Sequence, residues 1–319
     1  MQEELLHIFP LHLRETLQKV TMKENTLEEI RIRIGQPVIF HMENEEWYLK
    51  KETGRLERSQ VNAYCATKED IKSMVKFISS YSLYAYEDEM KRGFITMQGG
   101  HRIGVAGQVV MDGGKVLSLS NIYFLNIRVA REKRGCAKDI IPYLIHRNNI
   151  YNTLFVSPPG IGKTTYLRDA IRILSNGSDR LHGMKISIID ERSEIAACRQ
   201  GIPQNDIGIR SDVLDGCLKS FGMLLMLRSM APQIIAVDEI GSREDCRAME
   251  QAIYSGSRII GTVHAYDMKE LSRKKYLKEM LEQQMFGRIV LLEKAENGRR
   301  RFHIYDENLS LIHISEPTR

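Results

Sequence analysis

The chain has 319 residues, of which 43% are apolar and 27% are charged, and its formal net charge at pH 7 is +5. This length can bury a full core and predicts two domains, and the composition is ordinary for a soluble globular protein. The five cysteines are dispersed and include no C-x-x-C pair, which excludes a disulfide framework and a cysteine metal site.

The sequence lacks the patterns of a signal peptide and of a membrane-spanning helix. Its start, Met-Gln-Glu-Glu, has no basic-then-apolar order, and the longest apolar stretch, residues 221–227, is too short to cross a bilayer. We therefore expect a cytoplasmic protein that meets a membrane only through partners. The excess positive charge lies between Asp267 and His303, with ten Lys or Arg against six Asp or Glu. It is either a solvated helix face or a surface for an acidic partner, a membrane or nucleic acid.

Helix and strand patterns alternate in the amino-terminal part of the chain. Apolar spacing predicts an amphipathic helix over 4–20, and strict alternation predicts a strand over 28–34. Thr67-Lys68-Glu69-Asp70 is typical of a capped helix start. Glycine pairs at 98–100 and 112–114 predict the turns of two hairpins. Together these patterns predict a small α+β domain.

The strongest motif is a glycine-containing loop between a predicted strand, Thr153–Val156, and a predicted helix over 166–174. Its residues are Ser157, Pro158, Pro159, Gly160, Ile161, Gly162, Lys163, Thr164 and Thr165. This order is that of a phosphate-binding loop, or Walker A motif, although its first position is Ser where Gly is usual. Lys163 would reach the phosphates of ATP, and Thr164 would offer its hydroxyl to Mg²⁺. The alternative is an ordinary turn between a strand and a helix.

Three further predicted strands end in polar residues, where nucleotides bind in parallel sheets. Asp238 and Glu239 follow a buried strand, so Asp238 would hold Mg²⁺ through water or Thr164, and Glu239 would polarise the attacking water. After an earlier strand, Glu191 or Glu194 would position water or support the metal, or else these charges would only terminate that strand. His264 ends a third strand and is either a sensor or acid–base group near the γ-phosphate or a structural histidine.

We expect the α+β domain to cover residues 1–130, a linker with a short helix to cover 131–150, and a nucleotide-binding domain to cover 151–305. Arg102 and Arg128 lie on predicted strand edges, near the expected junction with the nucleotide-binding domain. They are candidates for arginine fingers, which reach the γ-phosphate bound by a neighbouring subunit. The alternative is that they lie on a solvent-facing side of the sheet.

The order of these motifs resembles that of the RecA-like ATPases of type II and type IV secretion. Asp190–Glu194 falls at the acidic box of that superfamily, Gly261–Asp267 matches its histidine box, and Ala236–Glu244 is similar to its second nucleotide motif. This chain has Asp190-Glu191-Arg192 where secretion motors have Glu-Asp-Pro. The resemblance implies a RecA-like (P-loop, ASCE-type) α/β domain with a mostly parallel sheet and flanking helices, preceded by the smaller α+β domain.

Within that superfamily, Gly99–Gly107, Asn126–Glu132 and Arg210–Asp215 resemble the stage III sporulation branch. This implies a cytoplasmic, homo-hexameric ATPase, with ATP and Mg²⁺ as cofactors, that energises a channel between mother cell and forespore. Its partners would be the membrane proteins of that channel, and it would lie on the mother-cell side of the forespore membrane.

Two alternatives remain open: a RecA-like ATPase that nucleic acid stimulates, and a nucleotide-binding scaffold without hydrolysis. We do not expect nucleic acid to be a partner. For the tail over 306–319 we expect no role, because Leu309–Arg319 resembles translated sequencing-adapter read-through.

Overall fold

The computed structural model describes residues 3–20, 26–43, 45–79, 89, 93–130, 133–178, 181–295 and 300–315. The chain divides into two units, Met1–Arg131 and Glu132–Arg319. Each unit has its own buried apolar core. No helix among the described residues is long and apolar enough to span a membrane.

The helices of unit 1 show one departure from the predicted pattern. They are α1 (Glu3–Leu6), α2 (Leu11–Gln18) and α3 (Lys68–Ile78). The single helix expected over 4–20 is wrong, because Pro10 precedes α2 and a residue before proline is disfavoured in helical conformation. The capped start of α3 is confirmed: the Thr67 hydroxyl accepts the Asp70 amide at 3.1 Å, and the Thr67 amide donates to Asp70 Oδ2 at 2.8 Å.

The strands of unit 1 form one antiparallel sheet. In the described part of this unit the order is β4-β3-β2-β1-β7-β6-β5. Ile30 and Ile32 of β1 are buried against the helices, as the alternating pattern predicts. The strands are β1 (Leu27–Arg33), β2 (Ile39–Met42), β3 (Glu45–Leu49), β4 (Leu56–Glu57), β5 (Phe94–Thr96), β6 (Arg102–Asp112) and β7 (Lys115–Arg128).

The main sheet of unit 2 is mostly parallel, in the order β12-β11-β13-β14-β10-β15-β16-β17. The strands from β12 to β15 in that order pair in parallel, and only the last two join antiparallel. A short β8–β9 hairpin stands apart from it. The strands are β8 (Ile145–His146), β9 (Asn149–Ile150), β10 (Thr153–Ser157), β11 (Ile186–Asp190), β12 (Ser211–Asp215), β13 (Ile234–Val237), β14 (Arg258–His264), β15 (Arg288–Lys294), β16 (Arg300–Tyr305) and β17 (Leu311–Ile314).

Helices cover both faces of this sheet. Leu167 and Ile171 of α5 pack into one apolar cluster, whereas Met223 of α6 and Met249 of α7 pack into a second cluster. Every residue of β10, β11 and β13 is buried, as expected for strands enclosed on two faces. The helices are α4 (Ile141–Leu144), α5 (Lys163–Asn176), α6 (Lys219–Met230), α7 (Arg243–Tyr254), α8 (Met268–Arg273) and α9 (Lys275–Glu282).

The segment expected to be a linker, as far as the structure describes it, packs into the core of unit 2. Ala137, Ile140 and Leu144 have no exposed surface. Asp169 of α5 fixes the start of the segment, because its carboxylate accepts the amides of Gly135 at 3.0 Å and Ala137 at 2.8 Å. The charged residues before Gly135 gave no sign of this attachment in the sequence.

Two other segments of unit 2 also differ from the sequence pattern. The charged residues over 267–284 do not form one continuous helix but two, α8 and α9, because Lys274 has an extended backbone between them. In the tail, β17 pairs with β16 at the edge of the sheet, and the Ser315 hydroxyl accepts the Phe302 amide at 2.8 Å. The part of the tail up to residue 315 is therefore ordered structure.

Candidate active site

The carboxyl ends of neighbouring parallel strands bring the predicted site residues to one edge of the unit 2 sheet. Ser157 at the end of β10 pairs with His264 at the end of β14. Ile189 of β11 pairs with Val237 of β13, so the residues that follow these two strands also lie side by side. The loop over 157–165, which we call the phosphate loop after its sequence motif, therefore lies along one edge with Asp238, Glu239 and His264.

The loop between β10 and α5 has the backbone that an anion site requires. Gly160 and Gly162 have φ of 78° and 107°, a region that residues with a Cβ rarely adopt. Lys163 begins α5 directly after Gly162. The first amides of a helix have no acceptor within it, so those of Lys163, Thr164 and Thr165 can donate to a phosphate. Ser157 is buried, and its hydroxyl donates to the Pro158 carbonyl at 2.8 Å.

Thr164 and Asp238 are in direct contact although they lie far apart in the sequence. The Thr164 hydroxyl donates to Asp238 Oδ2 at 2.7 Å, and the Thr262 hydroxyl donates to Asp238 Oδ1. The Glu239 amide donates to Asp238 Oδ1 at 3.0 Å and to Thr262 Oγ1 at 2.8 Å. A hydroxyl and a carboxylate are hard oxygen donors of the type that Mg²⁺ prefers.

The described residues include no group of three or more His, Cys, Asp or Glu that would hold a metal by themselves. Magnesium bound with a nucleotide usually has one or two protein oxygens, and phosphate and water supply the rest. The pair of Thr164 and Asp238 therefore fits this mode of binding rather than that of a closed protein cage.

His264 lies between Lys163 and Glu239. Lys163 Nζ lies 3.1 Å from Nδ1 and 2.9 Å from Nε2 of the ring, and Nε2 lies 3.1 Å from Glu239 Oε1. In the tautomer with its proton on Nε2, Nδ1 accepts from Lys163 and Nε2–H donates to Glu239. Arg192 Nη1 lies 2.5 Å from the second carboxylate oxygen of Glu239. The four side chains form a continuous chain of polar contacts across the edge of the sheet.

The pKa values of the lysine and the glutamate follow from this network. Burial lowers the pKa of Lys163 below its ordinary value, against the opposing charges of Asp238 and Glu239. Burial would raise the pKa of Glu239, but the hydrogen bond from His264 and the charge of Arg192 outweigh it, so this pKa lies below 4.5. Glu239 is therefore ionised at neutral pH.

The acidic residues after β11 contact other groups. Asp190 is buried and accepts the amides of Glu194, Ile195 and Ala196 at 2.7, 3.0 and 2.8 Å. Burial raises the pKa of Asp190, and these three amides counteract the increase. Glu191 pairs with Lys219 at the start of α6. Its catalytic role remains a prediction from the sequence.

The two candidate arginine fingers belong to unit 1. Arg102 and Arg128 are directly opposite each other in the β6–β7 ladder. The guanidinium of Arg102 lies 4.0 Å from the centre of the Phe94 ring. Their proposed action on a neighbouring subunit remains a prediction.

Sequence reasoning missed three arginines that contact this site or its loops. Arg192 differs from the secretion-motor pattern, because it stands where those motors have proline, but this difference did not indicate a role for it. Arg168 of α5 donates to the carbonyls of Glu194 and Ile195, both at 2.6 Å. Arg300 reaches the phosphate loop from β16: a Cβ added to Gly162 would lie 3.2 Å from its Nη2.

Comparison with protein families identifies the chain. A family model described as Sporulation stage III, protein AA matches residues 1–312. The chain belongs to this family. It is 38% identical over 310 residues to the stage III sporulation protein AA of Bacillus subtilis (strain 168), and the match covers 97% of this chain and 96% of that protein.

Solved structures confirm the fold class. The pilus retraction motor PilT with bound ADP matches with a TM-score of 0.62 at 15% identity, over 96% of this chain and 84% of PilT. The Legionella pneumophila ATPase DotB matches with a TM-score of 0.55 at 16% identity, over 92% of this chain and 78% of DotB. The chain therefore has the fold of the RecA-like secretion ATPases, as the order of its motifs predicts.

Proposed function

We propose that this chain is a Mg²⁺-dependent ATPase motor that energises assembly of, or transport through, a mother cell–forespore channel during endospore formation. The observation that carries the proposal is the 2.7 Å contact between Thr164 Oγ1 and Asp238 Oδ2. It joins the end of the phosphate loop to the acidic pair after β13, and phosphoryl transfer needs these two elements in one place. Membership of the sporulation family supports the biological setting.

Each residue of the edge has a role in this proposal. ATP supplies the phosphoryl group that is transferred, and Mg²⁺ neutralises charge on its phosphates. Residues 157–165 would bind the phosphates through backbone amides and Lys163, and Thr164 and Asp238 would hold the metal. Glu239, ionised at neutral pH, would orient and polarise water, with His264 fixing the position of its carboxylate.

The assembly and its setting are also part of the proposal. The superfamily resemblance supports a homo-hexamer in which Arg102 or Arg128 acts on a neighbouring subunit, and in which Glu191 assists catalysis. It also supports a cytoplasmic location in the mother cell, on the forespore membrane through the membrane proteins of the channel.

Purified full-length protein tests the enzymatic part, with phosphate release and mass in solution measured together. We expect ATP turnover that EDTA abolishes. Lys163→Ala should lose nucleotide binding, because α5 then has no ammonium beside its amides. Glu239→Gln should retain binding and lose at least about a hundredfold in turnover. The matched control Lys138→Ala, at an exposed lysine of the same unit, should change neither.

Two outcomes would contradict these assignments. Unchanged turnover in Glu239→Gln would exclude this residue as the base, and turnover insensitive to EDTA would exclude the metal. A titration with DNA and RNA addresses the alternative function, since salt-sensitive binding that accelerates turnover would favour it. Helix α9 gives that alternative weak support, because its two lysines are matched by Glu279 and Glu282, and Lys278 pairs with Glu282 at 3.6 Å.

A further inference from the structure

Both carboxylate oxygens of Glu239 are engaged by side chains of the protein itself. Oε1 lies 3.1 Å from His264 Nε2, and Oε2 lies 2.5 Å from Arg192 Nη1. A carboxylate that accepts from a guanidinium has less electron density to offer to a water molecule. The contact with Arg192 therefore opposes the role proposed for Glu239.

Arg192 has a fixed backbone and an accessible tip. Its loop after β11 is held by the three amides that donate to Asp190 and by the two hydrogen bonds from Arg168. Arg168 lies one helical turn after Thr164 on α5, so the loop is attached to the helix that follows the phosphate loop. The Arg192 side chain itself is 62% exposed. Its guanidinium can therefore change partners without displacing the loop.

A terminal phosphate is a stronger partner for a guanidinium than a carboxylate is. It carries more negative charge and offers more acceptor oxygens, and the planar fork of arginine matches it in two parallel hydrogen bonds. A nucleoside triphosphate in the loop over 157–165 would bring such a group to the edge on which Arg192 and Glu239 lie. A diphosphate would not, because it lacks the γ-phosphate.

We propose that Arg192 is a positioning residue that exchanges between Glu239 and the terminal phosphate of a bound nucleoside triphosphate. This inference rests on the proposed nucleotide-binding function. In the ion pair with Glu239, Arg192 blocks one oxygen of the base. On the γ-phosphate it releases that oxygen and adds a positive charge where phosphoryl transfer requires one. Hydrolysis is thereby coupled to the presence of the third phosphate.

Equilibrium binding to the full-length chain tests the exchange without any measurement of turnover. Affinities for ADP and for a slowly hydrolysed ATP analogue are measured with Mg²⁺ in wild type, in Arg192→Gln and in the control Arg58→Gln. Arg58 is 65% exposed and pairs with Glu45 in unit 1, so it matches Arg192 in chemistry and exposure. We expect Arg192→Gln to lose at least about tenfold in affinity for the triphosphate, and to bind ADP within about twofold of wild type.

A second variant detects the competition itself. Glu239→Gln removes the charge that holds Arg192, so affinity for the triphosphate should rise about three- to tenfold while affinity for ADP stays unchanged. In the double variant with Arg192→Gln this gain should disappear, a coupling that a merely structural role of Arg192 would not produce.

The outcomes separate this inference from the function on which it rests. If wild type binds neither nucleotide, the proposed function fails and the exchange with it. If wild type binds both, Lys163→Ala binds neither, and Arg192→Gln keeps the wild-type preference for triphosphate over diphosphate, the exchange alone is overturned. Persistence of the Glu239→Gln gain in the double variant would overturn it as well.

Discussion

Asp169→Ala should destabilise unit 2 by releasing the segment that follows the boundary between the two units. Asp169 is only 3% exposed, and its carboxylate accepts the amides of Gly135 and Ala137 and two guanidinium hydrogen bonds from Arg172, at 3.0 and 2.7 Å. Alanine removes all four contacts. Ala137 has no exposed surface, so its amide then lacks this acceptor.

The magnitude follows from the number of buried bonds. A hydrogen bond to a charged group contributes about 1.5–3 kcal/mol, and one of the four bonds comes from the amide of Ala137, a residue that has no exposed surface. Breaking a buried ion pair on one side costs about 3–5 kcal/mol. We therefore expect a loss of about 3–5 kcal/mol. Asp169→Asn should lose about half as much, because one oxygen still accepts an amide while the new NH₂ group faces the other.

Hydrogen exchange read by mass spectrometry measures this loss locally. Since each 1.4 kcal/mol is a factor of ten, protection of amides in peptides over 133–150 should fall at least about a hundredfold in Asp169→Ala. Asp139→Ala, which removes an exposed carboxylate in the same segment, should stay within about 0.5 kcal/mol of wild type. Protection in Asp169→Ala within tenfold of wild type would refute the reasoning that these bonds hold the segment.

Three other predictions concern the site and the thiols. Because the pKa of Glu239 is lowered from its ordinary value of 4.5, its contribution to stability is present above that value and is lost as the pH falls through the lowered pKa. Urea titrations should therefore show the stability advantage of wild type over Glu239→Gln shrinking as the pH is lowered below 4.5. Gly162→Ala should weaken binding of ADP at least about tenfold, and it should lower the melting temperature more than the control Gly256→Ala does. Both glycines have positive φ, but only at Gly162 would the added methyl group crowd Arg300. Titration with a thiol reagent should modify exposed Cys65 first, and reaction of the buried thiols before unfolding would contradict it. Burial raises the pKa of three thiols to about 12: Cys136, Cys198 and Cys246.

The sequence predicted the features that depend on local pattern. The strand before the loop, the glycine-containing loop itself, and the buried strand that precedes Asp238 are each encoded in a short run of residues. Because the carboxyl ends of parallel strands share one edge, even the meeting of Thr164 with Asp238 could be anticipated.

The features that the sequence did not predict depend on contacts between distant segments. Arg192 and Glu239 are separated by a helix and two strands, and neither sequence context contains a sign of the other. The attachment of residues 135–137 to Asp169 is likewise invisible in a run of charged residues. Pro10 is a different case: it was present in the sequence, but the apolar spacing on both sides continued across it and concealed the break.

The place of β10 in its sheet limits where unit 2 can move. β10 has parallel partners on both sides, β14 and β15, and none of its residues reaches solvent. Displacing β10, the strand from which the phosphate loop begins, would break its hydrogen bonds to both β14 and β15. The strand that carries this loop is therefore a rigid support, and any rearrangement at this edge of the sheet falls on the loops that follow the strands rather than on the strands themselves.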